Sequence, residues 1–151
     1  MANQENYRDI LQDLIETNRD GQKGYKDAAE HVKDPEIRSY FLEQSLERAR
    51  FAGELEDAIR DFGESNPDRS GSASGALHRA WIDTKTALGG GDHTILESAE
   101  QGEDTAKKSY EKALNASLPA NVLEIVRRQF DSILAAHDHV KMLRDRYKKA
   151  A

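Results

Sequence analysis

The chain has 151 residues, 33% of them charged and 37% hydrophobic, with a net charge of −6. An acidic balance of 22 Lys and Arg against 28 Asp and Glu argues against binding nucleic-acid backbone or an anionic membrane. Cysteine is absent, which excludes disulfides, thiolate zinc sites and cysteine nucleophiles. One domain over residues 1–151 is expected at this length. Met1-Ala2-Asn3-Gln4-Glu5-Asn6 carries neither a basic run nor an apolar core, so no secretory signal is expected. No apolar stretch approaches the roughly 20 residues of a membrane span, and a cytoplasmic protein is the expectation.

From Tyr7 the spacing of Leu11, Leu14, Asn18, Gly21, Tyr25, Ala28 and Val32 predicts one amphipathic helix over about 4–33. Asp34-Pro35 breaks it, because the residue before proline leaves the helical region and proline suits a first turn. A second helix over about 36–62 carries Ile37, Phe41, Gln44, Arg48, Phe51, Leu55, Ala58 and Phe62, and Gly63 stops it. Leu42, Leu46, Ala49 and Gly53 form a second apolar stripe on that helix, more than ~120° from the first. Residues 63–75 have loop chemistry. A short helix is expected at about 76–88, on which His78 and Trp81 would lie one turn apart and are expected to pack the connection onto the bundle. After Gly89-Gly90-Gly91, Asp92 is placed to cap a third long helix over about 92–115, with Ile95, Ala99, Gly102, Ala106, Tyr110 and Ala113 on one face. The fourth, over about 120–148, shows Val122, Val126, Phe130, Ile133, His137, Val140, Arg144 and Tyr147 in heptad steps. His139 points away from that seam and is expected at the surface. No strand pattern is present.

Short links make helices one and two an antiparallel hairpin, and likewise three and four. The long segment between two and three can run the length of a bundle. The expected architecture is therefore all-α: a ferritin-like four-helix bundle, two antiparallel hairpins joined by a long crossover containing a short fifth helix. Asn18 stands seven residues before Tyr25 and Glu103 seven before Tyr110, so each polar residue shares its tyrosine's helix face.

Five blocks carry a resemblance: Leu14-Ile15-Glu16 with Asp20-Gly21 and Gly24-Tyr25; Glu47 to Leu55; Gly75 to Trp81; Gly102-Glu103-Asp104; and Ala135-Ala136-His137-Asp138. They resemble an uncharacterised bacterial family of ferritin-like four-helix bundles, classed as a domain of unknown function. The resemblance implies a fold and brings no activity with it. The wider ferritin-like group implies a di-iron centre, with a Glu from each of two helices and a Glu-x-x-His pair from each of the others. Here Asn18 stands in the first helix, Arg50 follows Glu47 where a His is required, and Leu134 stands three residues before His137. At most Glu47, Glu103 and His137 survive, and Arg48 adds a fixed cation among them.

The first expectation is a non-enzymatic bundle whose metal site is replaced by a buried polar network of Asn18, Gln44, Glu47, Arg48, Glu103 and His137. In it Arg48 offsets the cost of burying Glu103. Such a protein has no cofactor and acts through association, with itself as a homodimer or with another protein. The alternatives are an altered or mononuclear site for iron or another divalent metal at Glu47, Glu103 and His137, and a small-molecule cavity near Gly21, Gly102 and Trp81. Phosphate loops, nucleophile elbows and His-Glu-x-x-His are absent from the sequence.

Overall fold

The computed structural model describes residues 4–61 and 91–150. These form four α-helices, with no strand among the described residues: α1 (Gln4–His31), α2 (Pro35–Asp61), α3 (Asp92–Leu114) and α4 (Ala120–Ala150). The expected short helix at 76–88, with His78 and Trp81, lies outside the described residues, as does Phe62. No described helix is long and apolar enough to cross a membrane.

The α1–α2 turn is shaped by side chains. Asp34 Oδ1 accepts from the Glu36 amide at 2.8 Å, an N-cap that starts α2 just before Pro35. Arg38 donates to the carbonyls of Ala29 (3.1 Å) and Val32 (2.6 Å), covering acceptors left over at the end of α1. Asp92 does not cap its own helix, contrary to the sequence expectation. The residue before α3 is Gly91, at φ 87°, and no side chain caps the helix. The carboxylate of Asp92 reaches across instead, accepting from the amides of Lys33 (2.8 Å) and Asp34 (3.0 Å). The left-handed backbone at Gly91 suits glycine, and the turn it makes leaves Asp92 free to face the neighbouring link.

Contacts join α1 to α2, α3 to α4, α1 to α3 and, least extensively, α2 to α4. Two apolar clusters fill the core. One gathers Tyr25, Ala28, Val32, Ile37, Phe41, Ile95, Ala99, Val140 and Leu143. The other gathers Leu11, Leu14, Leu55, Ile59, Ala106, Tyr110, Val122, Val126 and Ile133. The late part of α1, the early parts of α2 and α3 and the late part of α4 thus meet at one end. Within each hairpin the helices are antiparallel, and α2 and α3 point the same way.

The seam of α4 is turned relative to its sequence reading. Gln129, Ala136 and Leu143 are buried, whereas Phe130, His137 and Arg144 are only half-buried. From Val126 onward both sets satisfy a three–four alternation with Ile133 and Val140. A step of one residue rotates a helix position by ~100°, so the alternation alone could not choose between them.

Candidate functional site

Between the apolar clusters the bundle holds polar side chains that water does not reach. Asn18, Glu103 and Gln129 are 0% exposed and Arg48 is 2% exposed. Both oxygens of Glu103 lie close to Nη2 of Arg48, at 2.7 Å and 2.8 Å, and Tyr25 donates its hydroxyl to Glu103 Oε1 at 2.9 Å. The guanidinium also stands over the Tyr25 ring, 5.5 Å from its centroid. Burial opposes the charge on Arg48, but the Glu103 carboxylate outweighs it and holds the Arg48 pKa above its ordinary value. Burial, and then the charge of Glu103, push the Tyr25 hydroxyl far above the usual phenol range.

A second cluster lies two turns along the axis. Asn18 Nδ2 donates to Tyr110 Oη at 2.7 Å, and the Tyr110 hydroxyl donates to Gln129 Oε1 at 2.7 Å. Gln129 Nε2 donates to Glu54 Oε1 at 3.1 Å, and exposed Arg128 donates to Glu54 Oε2 at 2.6 Å. This chain of bonds runs from the centre of the bundle to its surface. Burial raises the Tyr110 pKa beyond what the Asn18 bond and Arg48 can lower. Burial opposes ionisation of Glu54, yet Arg128 and Gln129 bring its pKa below the ordinary value.

The two clusters follow from the repeated seven-residue spacing. Because α1 and α3 are antiparallel, Tyr25 meets Glu103 while Tyr110 meets Asn18. Each tyrosine finds the polar residue of the opposite helix.

The six residues expected in one network are therefore distributed. Asn18 belongs to one cluster, and Arg48 with Glu103 to the other. Gln44 is half-buried, and its Oε1 has no hydrogen-bond partner among the described residues. Glu47 lies at the edge of α2, 3.8 Å from exposed Arg50. His137 is 14% exposed, with Nε2 2.7 Å from Asp104 Oδ1 and Nδ1 3.2 Å from Asp138 Oδ1. It sits outside the core because Ala136 takes the seam position. His139 is not free at the surface, since its ring lies 4.2 Å from that of Tyr40.

Glu47, Glu103 and His137 thus point to three different places. Among the described residues, the carboxylates and imidazole close enough to share a metal ion are Glu100, Asp104 and His137. The donor set does not fit a di-iron centre in the core. Glu103, the carboxylate expected to hold metal there, is already paired with a permanent cation, and a fixed positive charge repels a metal ion from that level. Of the cavity expected near Gly21, Gly102 and Trp81, the Gly21 side packs on Arg48, whose Cγ and Nη1 lie 3.5 Å from where a Cβ would stand, and Trp81 lies outside the described residues. Tyr25, Tyr110 and Gln129 as hydrogen-bonding members were missed by sequence reasoning. Their signal was the tyrosine–polar spacing and the 3–4 step from Val126 to Gln129 to Ile133.

Residues 6–116 match the family described as Domain of unknown function (DUF2383). The chain belongs to this family. The match takes in α1, α2 and α3, and with them Asn18, Tyr25, Arg48, Glu103 and Tyr110. It stops before α4, which carries Gln129 and His137. No curated protein matches the chain.

Proposed function

We propose that this protein is a non-enzymatic, cytoplasmic, ferritin-like bundle that works by association, first of all with a second copy of itself. In this reading the chain is two hairpins joined by a crossover, and an ion pair stands where relatives of that fold hold metal. The observation that carries the reading is the Arg48–Glu103 pair, 2% and 0% exposed, with Tyr25 bonded to it. It commits Glu103, the least exposed carboxylate among the described residues, to a structural role. The parallel course of α2 and α3 supports the crossover.

The outer face of α2 supports association. Leu46 is 68% exposed and Leu42 is 46% exposed. Gly53 on the same stripe has nothing within 4 Å of where a Cβ would stand. A glycine inside a helix costs roughly 1 kcal/mol relative to alanine, and no described contact within the chain requires one here. An antiparallel α2–α2 contact about a twofold axis would set Leu42 against Gly53 and Leu46 against Ala49, large side chains against small ones. Sedimentation equilibrium tests this. Wild type is expected as a dimer at micromolar concentration and Leu46→Glu as a folded monomer. A wild-type monomer throughout that range contradicts the reading.

A further inference from the structure

We infer that Glu100, Asp104 and His137 form a binding site for one divalent transition-metal ion on the α3–α4 face, separate from the buried network. One ligand atom from each of the three lies within 4.8 Å of the other two. Glu100 and Asp104 are four residues apart on α3 and so share a helix face. His137 meets them from α4. An imidazole with two carboxylates is a borderline donor set that suits zinc, manganese or ferrous iron better than calcium or magnesium.

The surroundings are arranged as around a bound ion. Asp138 Oδ1 lies 3.2 Å from His137 Nδ1. A proton held on Nδ1 by that carboxylate directs the lone pair of Nε2 toward Asp104 and Glu100. Arg144 pairs with Glu100 Oε2 and, at 2.8 Å, with Asp145, which fixes the Glu100 side chain beside His137. The two ligand carboxylates, Glu100 and Asp104, outnumber the one guanidinium paired with them, Arg144. Glu100 and His137 are each 14% exposed, and Asp104 is 49% exposed. Two ligands are thus steadied by packing and the third faces water, leaving coordination positions open to solvent. On binding, the ion takes the place of any proton shared between Nε2 and Asp104, and that proton leaves to solvent.

Calorimetric titration of the chelator-stripped full chain with Zn(II) alone tests the site. One ion per chain is expected. His137→Ala and Glu100→Gln should each weaken binding about tenfold or more, and Asp138→Asn, which acts through His137, about tenfold. His139→Ala should leave binding unchanged, because that ring packs on Tyr40. Circular dichroism confirms that each variant is folded, and the Glu100 variant serves if the histidine variant is not. Absence of binding to wild type at millimolar Zn(II) overturns the site. So does binding that survives both ligand substitutions undiminished.

Discussion

Tyr25 and Tyr110 keep their protons because ionisation would place a second anion beside Glu103 in one case and an unsolvated phenolate in the core in the other. Burial is the larger cause for both, and both pKa values are raised from 10.0. The sign follows from linkage. The unfolded chain releases these protons near pH 10 while the folded chain retains them. Their contribution to stability is therefore complete below about pH 10 and declines as pH rises toward the folded values. Thermal melts between pH 8 and 11.5 should show a melting temperature that falls from about pH 10. Tyrosinate absorbance should appear together with unfolding. Free titration of all five tyrosines near pH 10 in a folded protein would contradict the assigned hydrogen bonds.

At the scale of the helices, one end of the bundle is tied by a three-way clasp. Asp92 at the start of α3 holds the α1–α2 link, and the Tyr147 hydroxyl near the end of α4 donates to Asp34 Oδ2. The Tyr147 bond, followed by the Glu36 amide, lowers the Asp34 pKa from 3.8. A depressed carboxyl stabilises above its unfolded value, and the benefit is lost as pH falls through the lower folded value. Tyr147→Phe should lower the melting temperature at pH 7, and its gap to wild type should narrow below pH 3.8. A gap of equal size at pH 7 and pH 3 would show that the Asp34 bond contributes nothing. The seams of α1 to α3 were legible in the sequence because polar residues interrupted otherwise apolar stripes. Asn18, Arg48 and Glu103 stood out for that reason, and all three are buried. The phase of α4 was not legible, since residues 129, 136 and 143 and residues 130, 137 and 144 fit the same alternation. That ambiguity placed His137 inside and overlooked Gln129. The reach of Asp92 was also hidden, because a carboxylate just after a glycine reads as a local cap, whereas the amides that donate to it belong to a link 58 residues away.

For the molecule as a whole, two apolar clusters close the ends and a polar layer crosses the middle. Burying an ion pair adds little net stability, because desolvation cancels most of the attraction. Breaking one is costly, because the remaining charge stays buried without its partner. What the Arg48–Glu103 pair supplies is a fixed match between α2 and α3, two helices that otherwise meet only through their neighbours. Only one alignment of the hairpins lets Glu103 meet both Arg48 and Tyr25. The most direct test is a double-mutant cycle measured by urea unfolding of wild type, Arg48→Met, Glu103→Leu and the double variant. Each single change should cost about 3–5 kcal/mol, and the double variant should recover to near wild-type stability or above it. Additive losses in the double variant, or a Glu103→Leu protein as stable as wild type, would contradict a structural ion pair at the centre of this bundle.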